Sequence, residues 1–194
     1  MKLVWLLTFS IVLATTGCSS ATVPGVGAPV ESVSPVPAQG EPPRWAPSVR
    51  SPRDARGVPP CDVLSEEQIR ELGFLPDTAV ESINSTTQSC GWSSATDDTN
   101  PVGLEINSDS NLAALDIVHN LRETFARFEP TEVGGHPAIR ADDLPDNGCA
   151  LYIAIADHQG ISIEYNAANR PLPDPCEIPR RMGAFILANL PPLT

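Results

Sequence analysis

Ten of the twenty-one prolines of this 194-residue chain fall between residues 19 and 60. Proline fixes φ and has no backbone N–H to give to a helix or a sheet. Between these prolines lie mainly Gly, Ser, Ala and Val, with neither a 3.6-residue nor a two-residue apolar period. The segment therefore reads as a disordered, partly extended tether. Its 42 residues would reach about 130 Å at ~3.1 Å each when fully extended, and on the order of 40 Å as a coil. Trp45, in "EPPRWAPSVR", is out of character there. It reads as a solvated side chain, with docking on the folded domain or on lipid headgroups as the alternative. The foldable part is expected over residues 61–194.

Ahead of the tether, "MKLVWLLTFSIVLATTGC" opens with Lys2 and continues as an apolar stretch over residues 3–14, interrupted only by Thr8 and Ser10. Twelve residues suit the hydrophobic region of a signal peptide, and a bilayer span needs about 20. Thr15, Thr16, Gly17 and Cys18 resemble the bacterial lipobox, in which small residues precede a cysteine that receives a thioether-linked diacylglycerol. The usual leucine three positions before that cysteine is Thr15 here. Residues 1–17 are thus expected to be a lipoprotein signal peptide and Cys18 the lipidation site, with an ordinary secretory signal as the alternative. Two or more acyl chains hold a protein stably on a membrane where one does not.

Charge bears on partners. Twenty-four acids stand against twelve bases, a net charge of −12. Lys2 is the only lysine; its removal with the leader leaves 11 bases against 24 acids, or −13. Such a chain repels phosphate backbones, so no nucleic-acid partner is expected. It also lacks the basic cluster that would bind an anionic leaflet, so contact with the membrane falls to the lipid on Cys18. Setting Cys18 aside leaves Cys61, Cys90, Cys149 and Cys176, an even number that suits two disulfides in an oxidising compartment.

Within the domain, Ser65 and Gln68 form a capping box ahead of a short helix that Gly73 ends. "CGWSSA" reads as a strand with Cys90 and Trp92 on one face. Residues 102–107 alternate apolar and polar as a half-buried strand. "NLAALDIVHNLRETFARF" places apolar residues at 112, 115, 118, 121 and 125, a helical spacing. "EPTEVGGHPAIRAD" reads as two strands about Gly134-Gly135. "CALYIAIAD" and "GISIEYNAA" read as a hairpin about "HQG". A last helix carries Ile178, Met182, Phe185, Ile186 and Leu190, and Pro191 stops it. The order implies an α+β fold, an antiparallel sheet with helices packed on one face.

The helix start "PCDVLSEEQIRELG", the "SCGW" that follows it, a later cysteine before a hairpin and the closing "DPCEIPRRMGAFIL" together resemble DUF3558, a family of actinobacterial lipoproteins of uncharacterised function. The resemblance spans residues 59–190, with the lipobox and tether. It implies a cell-envelope location and paired cysteines, and it brings no activity. Four cysteines allow three pairings. Layout favours Cys61–Cys90 with Cys149–Cys176, closing loops of about 28 residues worth roughly 3–4 kcal/mol each. Cys61–Cys176 with Cys90–Cys149 is the rival.

No nucleophile elbow, dinucleotide fingerprint or phosphate loop occurs in the sequence. His119, His136 and His158 have no His or Cys three or four residues away, and read as exposed or capping. Asp142, Asp143, Asp146 and Asn147 lack calcium-loop spacing and read as a polar turn. Glu105 and Glu164 fall at polar strand positions. They would form a glycosidase-type pair only if the fold joined them, and solvent exposure is the expectation. No metal or cofactor is expected. The sequence points to an envelope lipoprotein displaying a binding module for an unknown envelope protein or small ligand. An envelope hydrolase and a passive spacer are the alternatives.

Overall fold

The computed structural model describes residues 45–83, 87–96, 101–107, 114–143, 148–166 and 173–194, all within one compact unit. Cys18 lies outside the described residues. Seven strands form one antiparallel sheet: β1 (Val80–Ile83), β2 (Gln88–Trp92), β3 (Val102–Asn107), β4 (Arg127–Val133), β5 (His136–Asp142), β6 (Gly148–Ala156) and β7 (Gln159–Asn166). Their spatial order is β1-β2-β3-β7-β6-β5-β4. The last four strands run back as a meander, so β7 lands beside β3. Gly134 and Gly135 join β4 to β5 with φ of +56° and +82°, the left-handed backbone that a tight hairpin turn requires.

Among the described residues three α-helices accompany the sheet: α1 (Glu66–Glu71), α2 (Ala114–Asn120) and α3 (Glu177–Asn189). Helix α1 starts as its capping box dictates: the Gln68 N–H donates to Ser65 Oγ at 3.2 Å, and the Ser65 N–H to Gln68 Oε1 at 2.9 Å. Helices α1 and α3 share one face, in a cluster of 25 buried residues that includes Ile69, Trp92, Leu104, Ile153, Ile163 and Met182. Helix α2 packs on the opposite face through Leu115 and Val118, against Ile139, Ala141 and Ala154. Single-face packing therefore holds for two of the three helices. Helix α2 is also shorter than its apolar spacing implies, because Arg127 and Phe128 enter β4 and pair with Asp142 and Ala141.

The domain boundary moves. Residues 45–60, read from their prolines as part of a disordered tether, are a strap on the folded unit. Proline loses its own donor but keeps its carbonyl, and the residues between prolines keep both. Thus the Leu193 N–H donates to Pro52 O at 3.0 Å, the Asp54 N–H to Pro191 O at 2.9 Å and the Arg53 N–H to Ile155 O at 2.7 Å. Ala55 is buried, and its N–H donates to Gln159 Oε1 at 2.9 Å. Trp45 is docked on the domain, although 39% of its surface stays exposed. Its ring stacks on His119 at 4.2 Å, and the N–H groups of Trp45 and Ala46 both donate to Asp116 Oδ1.

Candidate functional site

Two disulfides fix the packed face. Cys61, in the 3-10 turn Pro60–Asp62, bonds Cys90 of β2; Cys149 of β6 bonds Cys176 at the start of α3. These are the pairs that layout favours, and the rival arrangement does not occur.

The other face leaves a site beyond the edge of α2. Alternation buries Val102, Leu104 and Ile106 of β3 and Ile161, Ile163 and Tyr165 of β7, which turns Gly103, Glu105, Ser162 and Glu164 outward. Register then builds two parallel rows across β2, β3, β7 and β6. One is Ser89, Glu105, Ser162 and Tyr152; the other is Gly91, Gly103, Glu164 and Ala150. Four strands span about 14 Å. In the second row Glu164 has only glycine and alanine beside it, so it borders a strip of bare backbone. Three adjoining hollows of about 520, 220 and 160 Å³ follow these rows and share Glu105, Ser162, Glu164, Gly103 and Tyr152 between them. Together they make one trough.

Glu105 and Glu164 are exposed, as their strand positions predict; partial desolvation by the surrounding residues nonetheless pushes the Glu164 carboxyl above its ordinary range, and the neighbouring charges of Glu105 and Asp143 push the same way. Burial, followed by the charges of Glu164, Asp143, Glu105 and Asp142, pushes the Tyr152 phenol up to about 12. Tyr152 therefore keeps its proton at neutral pH and can donate a hydrogen bond. Carboxylate acceptors, serine and tyrosine hydroxyls and a side-chain-free floor suit a ligand bearing hydroxyl or amino groups along a flat body, as a glycan does.

Asp142 does not serve this trough as a free acid. It is buried and accepts from Arg140 Nε at 2.6 Å and from the Ala150 N–H at 2.9 Å, with Arg127 Nε 3.7 Å away. Asp143 lines the largest hollow, whereas Asp146 and Asn147 lie outside the described residues. His136 is buried in β5, contrary to its expected exposure, with Nδ1 3.0 Å from Ala154 O. His119 stacks on Trp45, and His158 is exposed at a turn. Among the described residues no group of three His, Cys, Asp or Glu side chains is placed to hold a metal. None of the described helices is long and apolar enough to cross a membrane.

A model of the family described as "Protein of unknown function (DUF3558)" matches residues 13–189. The chain belongs to that family. In this member of DUF3558 the fold is a disulfide-tied antiparallel sheet with one covered and one partly open face. No curated protein and no solved structure matches the chain. Sequence reasoning placed Glu105 and Glu164 on strands but did not join them with Gly91, Gly103 and Tyr152. The available signal was the pair of glycines inside strands, which marks close approach of backbone or ligand.

Proposed function

We propose that this DUF3558 protein is a cell-envelope lipoprotein, anchored through a lipid on Cys18, whose domain stands outside the cytoplasmic membrane and binds its ligand in the open-face trough. The trough carries the binding reading: Glu105, Glu164 and Tyr152 converge beside a glycine floor. The leader, the lipobox-like tripeptide and Cys18 carry the anchoring reading, and the family match begins at residue 13 and takes in that cysteine. Two disulfides suit an oxidising compartment. Cys18→Ala should release the protein to the medium; a variant that stays with the membrane fraction would refute the anchor.

For the trough, the variant is Gly103→Trp. A Cβ at Gly103 meets nothing within 4 Å, and Gly103 lines two of the hollows, so a bulky side chain there is directed into the trough and away from the core. Proximity labelling in living cells should recover reproducible neighbours with the parent protein and lose them with Gly103→Trp. Identical recoveries would remove the trough from the account. A hydrolase reading draws on the same residues, because a carboxyl raised above its usual range beside a second carboxylate is the pairing that acid-catalysed glycoside cleavage uses. Glu164→Gln separates the two: a hydrolase loses turnover by orders of magnitude, whereas a binding module loses only part of its affinity.

A further inference from the structure

Strand β1 ends the sheet and is paired, among the described residues, with β2 alone. Strand β4 ends the other side. The two edges are built differently. Strand β4 carries Pro130 at its centre, with Arg127, Glu129 and Glu132 along it. Proline and charge are what keep an edge from pairing with another chain. Strand β1 reads Val-Glu-Ser-Ile and has no proline. Its Val80 and Ile83 are 69% and 64% exposed, two of the four large apolar side chains that the described residues leave exposed.

The free backbone groups of β1 follow from one contact. Ser89 of β2 donates its Oγ–H to Ser82 O at 3.4 Å, so the Ser82 carbonyl points toward β2. Successive residues of an antiparallel strand turn their N–H and C=O to opposite sides. The N–H and C=O groups of Glu81 and Ile83 therefore point away from β2, along the open edge. Side chains divide between the faces. Glu81 lies across from buried Cys90, so Glu81 and Ile83 stand on the α1/α3 side. Val80 and Ser82 lie across from Gly91 and Ser89, on the other side.

We propose that β1 receives an extended, basic segment of a partner protein as an added strand. The segment lies antiparallel, as all the paired strands of this sheet do. Main-chain hydrogen bonds to Glu81 and Ile83 supply the affinity, and alternate side chains supply the selectivity. Residues directly opposite share a face. The segment therefore reads, from its N-terminus, as an apolar residue across from Ile83, any residue, a base across from Glu81 and an apolar residue across from Val80. The net charge of −12 favours a basic partner further. A second copy of this chain is a poor occupant. Four residues of β1 fall far short of the roughly 20–30 residues per side of a stable interface, and two such copies repel each other. A short basic segment meets neither obstacle. The edge is separate from the trough, so the two readings stand or fall independently.

The test is an NMR titration of the full chain carrying Cys18→Ser with a capped peptide, Thr-Val-Thr-Lys-Val-Thr. The peptide should shift the β1 amides saturably and slow hydrogen exchange at the Glu81 and Ile83 N–H groups. Replacing its Lys by Glu should weaken binding roughly 3–10-fold, the effect of turning one exposed charge contact from attraction to repulsion. Ile83→Pro removes an outward N–H and spares the β2 ladder, as proline does on an edge. It should abolish binding with the β2 amides unmoved. Glu81→Lys should reverse the preference in favour of the Glu peptide, and it keeps the test decisive if Ile83→Pro disturbs the strand. The inference fails if the Lys peptide gives no saturable shift, if Ile83→Pro with an intact β2 binds as the parent does, or if Glu81→Lys leaves the preference unchanged. A dimer seen by sedimentation and lost in Ile83→Pro would give the edge to a second copy and overturn it.

Discussion

Gly183 and Gly103 sit on opposite faces of the same sheet, and their surroundings separate what those faces do. A Cβ on Gly183 of α3 would come within 2.5 Å of Ile153 Cδ1 and 3.3 Å of Val133 Cγ1. That glycine lets a helix close on the core. A Cβ on Gly103 would meet nothing within 4 Å, so packing does not require glycine there. The strands alternate, and one apolar face is enough to build the core of an antiparallel sheet. Among the described residues, 25 buried ones interlock on the α1/α3 face, whereas five are buried under α2, with partly buried side chains such as Phe125, Phe128 and Tyr152 packed around them. The rest of the second face is relieved of packing and is available for contact.

The largest effect expected belongs to the packed face. Cys149→Ala with Cys176→Ala should cost about 3–4 kcal/mol, the loop-closure value for this separation, read from urea denaturation. A loss below 1 kcal/mol would mean that the α3 contacts hold that face without the bond. Next comes the glycine pair itself. Gly183→Ala gains helix propensity but overpacks the core, for a net loss of about 1–2 kcal/mol. Gly103→Ala should stay within about 0.5 kcal/mol of the parent. Equal losses at the two positions would erase the distinction between the faces.

The smallest effect has a defined sign. The folded-state value of Glu164 is raised, so its contribution to stability is present below the ordinary carboxylate range and is lost as pH rises through the raised value. Glu164→Gln should remove that slope and be more stable than the parent at neutral pH by a few tenths of a kcal/mol, the size of an exposed charge contact. Thermal denaturation across that pH window checks it. A variant less stable than the parent at neutral pH would mean that the charge is compensated.

Local chemistry was legible where it acts alone. The Ser65–Gln68 capping box, the Gly134-Gly135 turn and the alternation of β3, β6 and β7 all appear in the sequence and in the fold. Strand β1 escaped because all four of its residues are exposed, which leaves no apolar alternation to read. Residues 45–60 escaped because proline content reports missing donors and is silent about carbonyls that other segments can use. Leu121 and Phe125 continued the helical period of α2, yet Leu121 is half exposed and Phe125 packs toward Tyr152. The trough was hidden for a different reason. Glu164 joins Gly91 and Gly103 only through the pairing of β7 with β3, strands distant in sequence.

A photo-crosslinking amino acid placed at Tyr152 in the trough, or at exposed Ala188 on α3, compares the two faces in the living cell. The account predicts a reproducible cross-linked product from position 152, lost when Gly103→Trp is added, and none from position 188. Cross-links from position 188 alone, or the same products from both positions, would contradict it.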